Sequence, residues 1–142
     1  MLSLSLATAQ QTQGIQQQVR AYRVAHEKEI VGEFTELLSL PNHATDTLEI
    51  RRNADFIQNM LEKRGVKVRL LRVPGAPPVV LGELSTPGAR STIGIYAHYD
   101  GQPVDPAQWS NPPFSPVVRD QSGKEIDWEK GASLDPQWRI YA

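Results

Sequence analysis

Apolar positions recur at helical spacing from Arg20 to Leu40, at Val24, Val31, Phe34, Leu37 and Leu38, until Pro41 closes the run. This pattern predicts one amphipathic helix. A loop, "LPNHATD", follows. Asp46 with Glu49 three places later resembles a capping box, although that motif prefers Ser or Thr in first position. Ile50, Ala54, Ile57 and Leu61 then fall at i, i+4, i+7 and i+11, and Gly65 stands where a helix-ending glycine belongs. A second helix is predicted there.

The period then changes to two. Val66, Val68 and Leu70 alternate with Lys67 and Arg69, which predicts a strand with one wet face. "PGAPP" turns the chain, "VVLGEL" predicts a second strand, and "STPGARS" turns it again. "TIGIYAH" reads as a third strand, apolar on both faces and therefore central in a sheet with helices on both sides. The fold class expected is α/β, with helices packed on a mixed, centrally buried sheet. Beyond residue 100, "GQPVDPAQWSNPPFSP" has too much proline for regular structure, yet it carries Trp109 and Phe114, so a packed loop is expected. "VVRDQSGKEIDW" predicts a hairpin around Ser122-Gly123, and "QWRIYA" the start of another strand.

Composition narrows the function classes. The 142 residues carry 15 basic against 16 acidic side chains with no basic stripe, which speaks against nucleic acid as a partner. No apolar stretch approaches the ~20 residues of a membrane-spanning helix, so no membrane partner is expected. Without cysteine there are no disulfides and no thiolate metal ligands. Residues 1–18 read as a leader or disordered tail. Ala7-Thr8-Ala9 fits a small-x-small cleavage site behind a short apolar stub, but the basic start of a signal peptide is missing. Export to a periplasmic or extracellular location and a cytoplasmic location both stay open. Residues 19–142 amount to one domain's worth of chain at most.

Three histidines are candidates for chemistry. His98 ends the third predicted strand and Asp100 follows two places later. On an extended backbone i and i+2 share a face, roughly 6.5 Å apart at Cα. A metal-binding histidine needs an acceptor for its other ring N–H, and a carboxylate there fixes the tautomer. The carboxyl ends of strands are also where open α/β sheets keep their functional crevices. Spacing alone leaves the alternative that His98 simply hydrogen-bonds a neighbouring loop. His26 lies among Glu27, Lys28 and Glu29 on a solvated face, and His43 sits in a polar loop; neither shows a ligand spacing.

The segment "YAHYDGQPVDPAQWSNPPFSP" resembles the first metal-ligand segment of the zinc metallopeptidase family that includes carnosine dipeptidases, aminoacylase and glutamate carboxypeptidase. The resemblance rests on the apolar run Ile93 to Ala97, His98, Asp100, Gln102-Pro103-Val104, Trp109, Pro113-Phe114 and Pro116. The two preceding helices and "VPGAPPVVLGEL" fit the N-terminal part of the same catalytic domain, and the Gln-Pro-Val form looks most like the dipeptidase branch. The resemblance implies that His98 holds one of two zinc ions, while Asp100, as the catalytic-site carboxylate, orients that histidine. It implies hydrolysis of short peptides or N-acyl amino acids, with zinc polarising the scissile carbonyl and a glutamate as general base. It places the remaining ligands after Ala142, so the chain is expected to be an inactive N-terminal portion, with homodimerisation left to a domain outside it. "GASLD" (131–135) is similar to the family's bridging-aspartate segment, but Pro136, Gln137 and Trp138 depart from it, so Asp135 is not expected to bind metal. Two rivals stay open: a related zinc aminopeptidase, and a non-catalytic binding module built on the first half of the fold.

Overall fold

The computed structural model describes residues 2–131 and 133–142, with side chains from Thr12 onward. Its elements run α1 (Leu2–Ala25), α2 (Glu27–Leu38), α3 (Thr47–Glu62), β1 (Lys67–Leu71), β2 (Val79–Glu83), a 3-10 turn at Pro106–Gln108, β3 (Val117–Arg119) and β4 (Arg139–Tyr141). Mixed α/β is the observed class. The chain divides into two compact units. One takes the residues up to Thr35 with Val117–Tyr141, and the other Glu36–Pro116 with Ala142.

The second unit is built on α3. Asp46 caps the helix in extended geometry, its Oδ1 accepting the N–H groups of Leu48 at 2.9 Å and Glu49 at 3.0 Å. The predicted stripe faces inward, and Ile50 and Ala54 are both 0 % exposed. Asn53 is buried beside them, and its amide donates to the carbonyls of Pro41 at 2.7 Å and Glu49 at 3.0 Å. A polar side chain in such a place is tolerated because its donors are satisfied. The helix stops as its sequence predicts: Gly65 takes φ 75°, with Gly65 N–H on the Glu62 carbonyl and Val66 N–H on the Leu61 carbonyl.

β1 and β2 follow as an antiparallel pair, in register from Lys67↔Glu83 to Leu71↔Val79. Val68 and Leu70 turn to the half-buried face while Lys67 and Arg69 stay wet, as the alternation requires. Helix α3 lies on this hairpin. The approach is close at Gly82, where an added Cβ would meet Val66 Cγ1 at 3.0 Å and Leu61 Cδ1 at 3.4 Å.

The third predicted strand is corrected. Residues 91–98 form no strand, and among the described residues no backbone hydrogen bond ties them. Ile93, Ile95 and Tyr96 are 86 %, 92 % and 90 % exposed. A central strand needs a ladder on each side, and this stretch has one on neither, since β1 and β2 pair only with each other. Among the described residues the mixed, centrally buried sheet is not formed; both ladders are antiparallel and two-stranded.

The single amphipathic helix expected over 20–40 becomes α1 and α2, interrupted at His26. Helical bonding nearly persists there, with His26 N–H on the Tyr22 carbonyl and Ile30 N–H on the His26 carbonyl. Helix α1 also takes in the stretch read as leader or tail, whose Gln, Ala and Leu are good helix formers. Ala7-Thr8-Ala9 lies outside the described side chains. No described helix is long and apolar enough to cross a membrane. β3 pairs antiparallel with β4, Val117↔Tyr141 to Arg119↔Arg139, around the buried Val118. The turn predicted at Ser122-Gly123 is present, with Gly123 at φ 83°. Asp120 Oδ1 accepts from Ser122 Oγ at 2.6 Å and from the Ser122 and Lys124 amides, and these bonds, the hydroxyl first, hold its carboxyl below the ordinary range. The predicted hairpin closes at the Arg119↔Glu125 bridge, with Ile126 N–H on the Val118 carbonyl at 2.8 Å, and the regular ladder of β3 is with β4.

Candidate metal centre

Two loops of the second unit meet here. Pro41–Asp46 leads into α3, and Tyr99–Gly101 follows the unpaired apolar run. They join through a parallel bridge, His43↔Gly101. Gly101 N–H donates to the Asn42 carbonyl at 2.7 Å and Ala44 N–H to the Gly101 carbonyl at 3.1 Å. Asn42 Nδ2 donates to the Tyr99 carbonyl at 3.3 Å. The Tyr99 hydroxyl donates to the Pro78 carbonyl. Burial first, and then the negative charge of Asp100, pushes that phenol above its usual pKa.

His98 stands at the start of this loop with an exposed ring. Its Nδ1 is 3.2 Å from Asp100 Oδ1 and 3.0 Å from the Asp100 carbonyl oxygen. Both partners are acceptors, so Nδ1 carries the proton in the neutral ring and the lone pair lies on Nε2. That is the tautomer an Nε2-coordinating histidine requires, with the carboxylate in the orienting position behind it. The donor chemistry of His98 therefore fits a metal. A complete set is not assembled among the described residues, which contain no cluster of three or more His, Asp, Glu or Cys side chains able to hold an ion.

The other histidines go elsewhere. His43 is carried against Gly101 by its backbone, but its ring meets Phe114 edge-on at 5.5 Å and its Nδ1 lies 3.8 Å from Glu49 Oε2. His43 Nε2 and Glu49 Oε2 are buried and, within the described protein, have no hydrogen-bond partner. Phe114 adopts a left-handed backbone, φ 60°. His26, at the break between α1 and α2 in the other unit, stacks on Tyr22 at 4.2 Å and pairs with Glu29 at 3.1 Å. Asp135 belongs to that unit too, and its Oδ1 accepts the Gln137 amide at 2.8 Å in a local turn. The residue that sequence reasoning missed is Asn42, whose signal was only a polar residue in a loop before a capped helix.

No family model matches the chain, and no solved structure matches it. A curated relative, the Cys-Gly metallodipeptidase dug1 of Schizosaccharomyces pombe (strain 972 / ATCC 24843), is 28% identical over 131 residues, covering 82% of this chain and 27% of its own length. The chain thus spans about a quarter of the relative it matches. This similarity supports a metallopeptidase, dipeptidase-like family and a metal-dependent peptidase function at that level.

Proposed function

We propose that this chain carries the first metal ligand of a zinc-dependent hydrolase that cleaves the amide bond of short peptides or N-acyl amino acids. The observation that carries the proposal is the placement of two acceptors on His98 Nδ1, which leaves Nε2 to bind. His98 would hold one zinc ion through Nε2. Asp100 would keep the proton on Nδ1 and the ring in its orientation, raising the basicity of the coordinating nitrogen. Zinc, when bound, supplies Lewis acidity toward a water and toward the scissile carbonyl. The Tyr99–Gly101 loop, held by Asn42 and Pro78, keeps the histidine and carboxylate together. The name of the curated relative makes Cys-Gly the first substrate to try. In this reading the other ligands come from further chain, because a catalytic zinc takes about three protein ligands. Homodimerisation would belong to that further chain as well.

The test is hydrolysis of Cys-Gly and of an N-acyl amino acid by the protein expressed from its complete reading frame, after chelation and after return of zinc. His98→Ala should abolish zinc-dependent turnover and lower zinc content. Asp100→Asn keeps the shape, weakens the acceptor and should cost about 10–100-fold. The 142-residue chain alone should show no turnover. Normal activity and zinc content in His98→Ala would end the proposal.

A further inference from the structure

We infer that Asn42 is a positioning residue for the His98–Asp100 pair, and that position 101 is glycine to admit its side chain. The inference rests on the metal-ligand reading of His98. The Asn42 amide reaches the carbonyl of Tyr99, the residue between His98 and Asp100, while the Asn42 carbonyl takes the Gly101 N–H. One residue thus grips the loop on both sides of Asp100. The side chain lies so close over Gly101 that a Cβ there would sit 2.5 Å from Asn42 Oδ1, 3.0 Å from Cγ and 3.2 Å from Nδ2. The backbone of Gly101 is not in the left-handed region, so the constraint is space and not torsion.

The grip is anchored in the unit's core. Buried Asn53 of α3 donates to the carbonyl of Pro41, the residue before Asn42. A rigid path therefore runs from α3 through Pro41 and Asn42 to the peptide joining Tyr99 to Asp100. The bond from His98 Nδ1 to the Asp100 carbonyl depends on how the backbone at 99–100 is turned. Groups that hold a ligand's own partner in place are part of what sets metal affinity.

The test reads the His98 ring directly. In the 142-residue chain, the ¹⁵N resonances of the His98 imidazole report which nitrogen carries the proton in the neutral ring. Wild type should show the Nδ1–H form predominating. Asn42→Asp keeps the shape and removes the donor, and should lose that predominance, as should Asn42→Ala. Gly101→Ala should do the same by expelling the Asn42 amide. The double variant Asn42→Ala/Gly101→Ala relieves the clash without restoring the donor, so it should resemble Asn42→Ala. In the complete protein, zinc affinity of Asn42→Asp should fall about 10–100-fold. A wild-type His98 spectrum in Asn42→Asp, or its recovery in the double variant, would overturn the role of Asn42. The reading of His98 fails on a different result, unchanged zinc content in His98→Ala.

Discussion

The helix–hairpin segment of α3, β1 and β2 and the stretch at 91–98 belong to one unit and are both rich in apolar residues, yet only the first builds a core, at Ile50 and Ala54. In the helix–hairpin segment each element finds its partner within a few residues. α3 is closed by Gly65, β1 begins at Lys67, and β2 returns after a short turn to complete the ladder. The stretch at 91–98 is as apolar, but among the described residues no strand pairs with its N–H and C=O groups. Burying unpaired backbone polar groups costs more than the side chains gain, so the peptide groups stay in water and the side chains stay with them. Apolarity supplies the drive to bury; the supply of hydrogen-bond partners decides what is buried.

The contrast breaks first on a matched pair of truncations. Ile50→Ala should lower stability by about 2–5 kcal/mol, because it opens a cavity at a fully buried site. Ile95→Ala should fall within about 0.5 kcal/mol of wild type. Urea unfolding of both variants decides the matter, and a comparable loss at Ile95 would mean that the apolar run is covered in solution. Next in size is Asn53→Ala, which leaves the Pro41 carbonyl without its donor and should cost about 1–3 kcal/mol in the same measurement. Removing the cap with Asp46→Ala should cost about 1 kcal/mol, read as loss of helical signal and a lower urea midpoint. The smallest effect is at the anchor that ends the unpaired run. The folded pKa of Tyr99 is raised, so its contribution is present below the ordinary tyrosine value and is lost as pH rises through the higher folded one. Phenolate absorbance should show one late-titrating tyrosine that Tyr99→Phe removes.

Much of the helix–hairpin segment was legible because its determinants are local. The cap at Asp46, the stripe from Ile50 to Leu61, Gly65 and the alternation at Val66–Leu70 each act over a few residues. The failure at 91–98 has the opposite cause: a strand pattern states a readiness to pair and says nothing of whether a partner is supplied. The same limit explains β3, where the turn at Ser122-Gly123 is encoded locally and the choice of β4 as ladder partner is not. At the site, the His98–Asp100 pairing was readable from an i, i+2 spacing. Asn42 was not, since its contacts with Tyr99 and Gly101 span more than fifty residues of sequence. The contact of His43 with Phe114, about seventy residues on, was hidden for the same reason.

The unpaired run at 91–98 also bears on how long the chain survives. Proteases bind segments that fit their clefts without prior unfolding, and here backbone and side chains are already presented. Cleavage in the neighbourhood of Ile93 to Tyr96 would then not wait for global opening, and its rate would be insensitive to the stability of the α3 core. The half-life of the chain would be governed by whatever shields this one stretch. Strengthening the core alone would leave it unchanged.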